Sequence, residues 1–117
     1  MTRLAWAVVL ALIVPPLLAW LGISARLGAH PWWDVSTALV GAPVGVVAGL
    51  FCLRRAKGAG FTLSLVVLAG AVAVAWYGKT QFAASFAEDA FAGKMWYFGW
   101  IGIAAGTSML VFGALRR

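Results

Sequence analysis

Residues 4–24 read LAWAVVLALIVPPLLAWLGIS and contain no charged side chain. A run of about 20 apolar residues is long enough to cross the ~30 Å hydrocarbon core of a bilayer as a helix. The run is longer than the apolar core of a usual secretory signal peptide, so we expect a permanent first helix. This stretch therefore predicts a membrane protein.

The same pattern recurs in residues 36–53, 60–78 and 95–115, which also lack charged side chains. The 117-residue chain is 64% hydrophobic and 10% charged, whereas soluble domains carry about 25% charged residues. The connections between the apolar runs are too short to hold a separate soluble module. We predict an all-α integral membrane protein whose single domain, residues 1–117, contains four transmembrane helices in an up-down arrangement.

Basic residues are distributed unequally between the two sides that four spans create. Both termini and the loop 54–59 share one side, which holds six of the 9 Lys/Arg. Lysine and arginine are enriched in cytoplasmic segments, so we predict that both termini are cytoplasmic and that the membrane is the bacterial inner membrane. The net charge of +6 is then a topology signal, and we expect no nucleic-acid partner. The six residues are Arg3, Arg54, Arg55, Lys57, Arg116 and Arg117; Arg26, Lys79 and Lys94 lie on the other side.

The loop between the third and fourth spans has the pattern of a short interfacial helix. Over residues 80–92, polar side chains group on one arc and phenylalanines and alanines fill the rest, as in a helix that lies flat at a membrane surface. Ser85 and Glu88 also fit a capping box, so a later start for this helix stays open. Gly93 is the predicted stop.

Glycines at four-residue spacing mark two candidate packing faces. Small residues at this spacing allow two helix backbones to approach closely in lipid. The pattern predicts helix packing but does not identify the partner helix, which belongs either to this chain or to another subunit. The second span carries Gly41, Gly45 and Gly49, and the fourth carries Gly99, Gly102 and Gly106.

Tryptophan is concentrated near the predicted outer side, with six of the seven residues there. Aromatic belts normally occupy both membrane interfaces. Because tryptophan also anchors protein interfaces, we predict that part of this aromatic face docks a partner, with simple interfacial anchoring as the alternative. The candidate docking residues are Trp32, Trp33, Trp96 and Trp100.

Four residues inside the spans affect backbone hydrogen bonding. Pro15 and Pro16 have no N–H group, so the carbonyls of Ala11 and Leu12 lose their usual helical donors. Neighbouring helices or water must replace those donors. Thr107 and Ser108 are expected to bond to carbonyls of their own helix.

Chemically active side chains are scarce. The predicted spans contain no Asp, Glu, Lys, Arg or His, although such residues usually mark proton, ion or substrate routes. His30 and Cys52 are each the single residue of their type, and the sequence has no nucleophile–base, nucleotide-binding or metal-binding motif. We therefore expect no catalytic residue, no metal site and no cofactor of its own. Asp34 is expected to cap the second span.

These features favour a non-catalytic accessory subunit of a larger membrane complex, with other membrane subunits and bilayer lipids as its partners. We expect association through the glycine-rich helix faces and the aromatic outer face, and a respiratory or other electron-transfer assembly as the setting. Contact with lipid or quinone at the aromatic face is a further expectation. The alternative is a small oligomeric transporter or channel for a neutral or lipid-like solute.

Overall fold

The computed structural model describes residues 2–30, 33–52, 59–86 and 88–116. This part of the chain contains four helices that are long and apolar enough to cross a membrane. The prediction of an all-α chain with four spans is therefore confirmed for the described residues. The helices are α1 (Arg3–Trp20), α2 (Ile23–Leu27), α3 (Asp34–Cys52), α4 (Ala59–Ala84) and α5 (Ala90–Arg116), of which α2 is the short one.

The four long helices alternate in direction. Two small apolar clusters join α1, α3 and α5. From the first cluster to the second, residue numbers increase along α1 but decrease along α3 and α5, so α1 runs antiparallel to both. Along α4 and α5, Gly78 lies against Trp96 and Ala75 against Gly99, so this pair is also antiparallel. The two clusters contain Ala7, Ala11, Val46 and Phe112 at one level, and Ala19, Ala38 and Ala104 at the other.

Helix α5 lies at the centre of the molecule. It makes extended contacts with α1, α3 and α4, and α1 also packs against α3. Helix α4 packs on the side of α5 away from α3. In the described part of the chain, α5 is the one helix with which α4 makes extended contacts. The molecule is consequently long and flat, with extents of 49 × 26 × 17 Å.

The short helix is not where the sequence predicted it. No separate helix lies within the described part of residues 80–92; α4 continues to Ala84 and α5 begins at Ala90. The extension of α4 is supported by Phe82, whose ring packs on Trp96 and fills the space left by Gly93. Gly93 therefore lies inside α5 and is not a stop.

Asp89, rather than Ser85, caps the start of α5. Its Oδ1 accepts the Ala92 backbone N–H at 3.0 Å, which is the N-cap geometry. The Ser85 hydroxyl instead accepts the N–H of Asp89 at 2.9 Å within the preceding turn. In that turn Phe86 has φ of 55°, a left-handed conformation that non-glycine residues seldom adopt.

The first predicted span is also divided. Helix α1 ends at Trp20, and Gly22, with φ of 84°, turns the chain into α2. The left-handed conformation at Gly22 suits glycine because it has no Cβ to clash with the backbone. The predicted span 4–24 is thus a helix to residue 20 followed by a bend.

A serine from α5 satisfies the carbonyl that Pro15 frees. The Ser108 hydroxyl lies 3.0 Å from the Ala11 carbonyl of α1 and 2.9 Å from the Ala42 carbonyl of α3. This contact confirms that a neighbouring helix supplies the missing donor. It also shows that the prediction for Ser108 was wrong, whereas Thr107 does bond to its own helix, at 2.8 Å from the Ile103 carbonyl.

Candidate functional site

The glycines of α3 face α5 of the same chain. A Cβ at Gly41 would meet the Ile101 carbonyl and the Ala104 side chain, and one at Gly45 would meet Ala105 and Ser108. Further along the helix, Gly49 lies against the ring of Phe112, where a Cβ would approach to 3.0 Å. The backbones of α3 and α5 therefore approach as closely as small residues permit.

The glycines of α5 form a second face that meets α4. A Cβ at Gly99 would lie 2.6 Å from backbone atoms of Ala75. Gly102 faces Ala71, and Gly106 faces Leu68. Both predicted glycine faces are thus occupied inside the chain, which leaves other surfaces for contact with a second subunit.

Five rings gather where the α2–α3 loop meets the end of α4 and the start of α5. We call this group the aromatic cluster. The ring of Trp33 lies edge-on to Trp96 and Tyr97, with centroid separations of 5.0 and 5.2 Å. His30 stacks on Trp33 at 5.8 Å. The edge-to-face arrangements are those that aromatic quadrupoles favour. The cluster consists of His30, Trp33, Phe82, Trp96 and Tyr97.

A buried hydrogen bond attaches the aromatic cluster to α2. Trp96 donates its Nε1–H to the carbonyl of Gly28 at 2.9 Å. Gly28 has φ of 123°, a conformation open to glycine and strained for other residues. The Lys79 side chain from α4 lies beside the position that a Cβ at Gly28 would occupy, at 3.4 Å from Nζ. Helices α2, α4 and α5 therefore meet at this glycine.

The predicted docking residues have unequal access to a partner. Trp96 and Trp100 are each 9% exposed, so their rings stabilise this chain and are not available at its surface. Trp33 is half-buried within the aromatic cluster, and Trp32 lies outside the described residues. The docking prediction is thus wrong for Trp96 and Trp100, because tertiary packing turns them inward.

Other aromatic residues remain exposed near the same end of the molecule. Trp20, Trp76 and Tyr77 are largely accessible, and their helix positions place them towards the interface opposite the termini. They are suited to the aromatic belt that anchors membrane proteins at the headgroup level.

A partly open cavity of about 90 Å³ lies between α1, α2, α3 and α5. Its walls are mostly apolar, and Trp100 belongs to them. Four polar side chains also line it. Binding sites for small molecules also combine apolar walls with a few polar groups, although this cavity is smaller than their usual volume of roughly 300–1,000 Å³. The polar residues are Ser24, Asp34, Thr37 and Thr107.

Asp34 is the acidic residue of this cavity. It is the first residue of α3 and is only 7% exposed. Its Oδ1 accepts the Val35 N–H at 2.7 Å, and its backbone carbonyl accepts the Thr37 hydroxyl at 2.8 Å. The sequence predicted a capping role for Asp34 and gave no sign of the cavity, because the other walls come from distant helices.

The described residues contain no group of three or more His, Cys, Asp or Glu side chains that could hold a metal ion. Comparison of the chain with protein-family models, with curated proteins and with solved structures finds no match.

Proposed function

We propose that this protein is a non-catalytic accessory subunit of a larger membrane complex and that α4 carries the contact with its partner. The single observation that carries the proposal is the position of α4 at the edge of the molecule. In an 18-residue apolar window of Phe61–Ala84 only 17% of the residues are buried, against 44% in the corresponding windows of Asp34–Phe51 and Ala90–Leu115. The window of α1 is 22% buried, but α1 contacts both α3 and α5.

The composition of the free face of α4 supports a helix as its partner. Leu68, Ala71 and Ala75 lie towards α5, so the helical repeat of 3.6 residues puts Ala69 and Ala73 on the opposite side. Both alanines are exposed, and a Cβ added at nearby Gly70 would meet nothing within 4 Å. Small residues four apart permit close helix–helix approach in lipid.

The proposal includes the setting that the sequence favours. We propose that the protein lies in a bacterial inner membrane with both termini in the cytoplasm. Six of the 9 Lys/Arg lie on the side of the termini, and basic residues are enriched in cytoplasmic segments. A respiratory or other electron-transfer assembly is the proposed complex, with lipid or quinone contacts near the exposed aromatic residues. The protein itself is proposed to hold no cofactor.

The test is extraction in a mild detergent followed by native mass measurement. We expect larger membrane proteins to co-purify with the wild-type chain and to be lost from Ala73→Trp, whose bulky ring would separate α4 from its neighbour. Val47→Trp is the matched control, because Val47 is exposed on α3. This control should retain the partner.

Two results would contradict the accessory-subunit proposal. One is a monomeric wild-type chain under conditions that preserve other complexes of the same membrane. The other is equal retention of the partner by both tryptophan variants, which would remove α4 as the contact. The spectrum of any co-purified protein tests the electron-transfer setting, since haem and flavin absorb visible light.

The alternative function is a small oligomeric transporter or channel for a neutral or lipid-like solute. The exposed face of α4 favours it equally, because a second copy of this chain could occupy that face. The same mass measurement separates the two functions, since a homo-oligomer without other proteins supports the alternative.

A further inference from the structure

We propose that the cavity between α1, α2, α3 and α5 binds a primary ammonium group, with the carboxylate of Asp34 as its counter-ion. The observation that carries this inference is an acid that is only 7% exposed and lines a cavity together with three hydroxyl side chains and apolar residues. The inference is independent of the accessory-subunit proposal.

Burial of the Asp34 side chain takes most of its carboxylate out of contact with water. An ionised carboxylate removed from water needs a compensating charge or several hydrogen bonds. The side chain of Asp34 accepts the Val35 N–H, and two carboxylate oxygens offer about four acceptor sites in total. Among the described residues no fully buried side-chain oxygen lacks a hydrogen-bond partner, so any acceptor site of Asp34 that remains open faces accessible space. Arg26, the nearest basic residue in the sequence, has an exposed side chain. A cation that enters the cavity would supply the compensating charge.

The polar groups of the cavity select the form of the cation. Its carboxylate and hydroxyl oxygens accept hydrogen bonds, and a primary ammonium has three N–H groups to donate to them. A trimethylammonium group has no N–H to donate. The cavity therefore favours a primary ammonium over a quaternary one.

Hydroxyl groups in the cavity wall can also bind the ammonium group, which can enter from the nearby surface. Ser24, Thr37 and Thr107 also line the cavity, and hydroxyl oxygens can accept a hydrogen bond from an ammonium group while they donate elsewhere. Thr37 and Thr107 donate to backbone carbonyls, which leaves their lone pairs as acceptors. Ile23 and Leu27 line the cavity and are themselves exposed, so it lies close to the molecular surface.

The position along the membrane normal suggests two sources for the ammonium group. Asp34 is the first residue of a spanning helix, so the cavity lies near the headgroup level of the bilayer. The ligand is either the headgroup of an ethanolamine phospholipid or a free small amine. Both present the same aminoethyl chemistry to the carboxylate.

The experiment uses the full chain in phosphatidylcholine nanodiscs with ¹⁵N-labelled tryptophan. The indole signal of Trp100, assigned with Trp100→Phe, reports occupancy because Trp100 lines the cavity. One arm adds phosphatidylethanolamine in steps, and the other adds ethylammonium chloride to discs of phosphatidylcholine alone. Saturable shifts in the first arm identify the lipid, and shifts in the second identify a free amine; either result supports the proposal.

Two variants test the role of the carboxylate. Asp34→Asn keeps the shape and the acceptor for the Val35 N–H but removes the charge, so affinity should fall by about tenfold or more. Glu88→Gln is the matched control, because Glu88 is an exposed acid at the same end of the molecule, and it should bind as the wild type does. Ser24→Leu should abolish binding by filling the cavity.

The proposal is overturned if neither arm shifts the Trp100 signal, which would leave the cavity to water. It is also overturned if Asp34→Asn binds as tightly as the wild type. Native mass measurement of retained phosphatidylethanolamine gives a second readout. If Asp34→Asn fails to fold, Ser24→Leu and this readout keep the test decisive.

Discussion

At the scale of single residues, one hydroxyl compensates for one proline. Pro15 removes the N–H that would bond to Ala11, and Ser108 donates to that carbonyl from a different helix. The same hydroxyl is within hydrogen-bond distance of Ala42, so its single proton is shared between α1 and α3. A carbonyl without a donor is unfavourable in the hydrocarbon region, which explains why a serine lies among small apolar residues.

The first prediction at this scale is that Ser108→Ala lowers the free energy of unfolding by about 1 kcal/mol, the usual size of a hydrogen bond between membrane helices. Reversible unfolding in mixed detergent micelles measures the change. The control is Thr107→Val, because the Thr107 hydroxyl bonds to the Ile103 carbonyl of its own helix, and its loss frees no group that lacks a backbone donor. Equal effects of the two substitutions would count against the role given to Ser108.

At the scale of the helices, glycine positions decide which faces can meet. A Cβ added at Gly45 would clash with the Ala105 backbone and would lie 2.7 Å from the Ser108 Cβ. A Cβ added at Gly70 of α4 would meet only open space. The two residues have the same intrinsic helix propensity, so any difference between them comes from tertiary packing.

The second prediction is that substitution by alanine lowers the stability of the protein at Gly45 but not at Gly70. Gly45→Ala should destabilise the protein by about 1–3 kcal/mol, since the added methyl group must push α3 away from α5. Gly70→Ala should be neutral or stabilising by up to about 1 kcal/mol, because alanine is the better helix former. Thermal denaturation of purified protein in one detergent compares them. Destabilisation by both substitutions to the same extent would contradict the assigned packing faces.

At the scale of the whole molecule, the alternating directions of four helices place both termini at one end. The aromatic cluster, the Asp34 cavity and the turn between α4 and α5 lie at the other end. The two ends therefore differ in chemistry: basic residues are concentrated at the first and aromatic residues at the second.

The third prediction follows from that asymmetry. Reporter fusions should place residue 117 in the cytoplasm and residue 88 on the opposite side, because basic residues stay in the cytoplasm. Replacing Arg54, Arg55 and Lys57 with alanine would leave three basic residues on each side, from six against three, and should produce mixed orientations. A wild-type C-terminus outside the cytoplasm would refute the predicted topology.

The number of spans and the helical class could be predicted from the sequence alone. The free energy of transferring a charge-free run of residues into lipid depends only on the residues within that run. The sequence also located the packing glycines, since the four-residue spacing lies within one helix. The choice of partner helix needed the tertiary structure, which brings α3 against one side of α5 and α4 against the other.

The remaining features depended on contacts between distant parts of the chain. Trp96 and Trp100 read as an outer docking face, but the fold buries them against the α2–α3 region. The described residues contain no separate interfacial helix, because α4 and α5 continue beyond their apolar runs and Phe82 in the extension of α4 packs on Trp96. Asp34 read as a simple cap, and only the approach of α1, α2 and α5 creates a cavity around it. Burial depends on what a neighbouring helix covers, and no single run of residues contains that information.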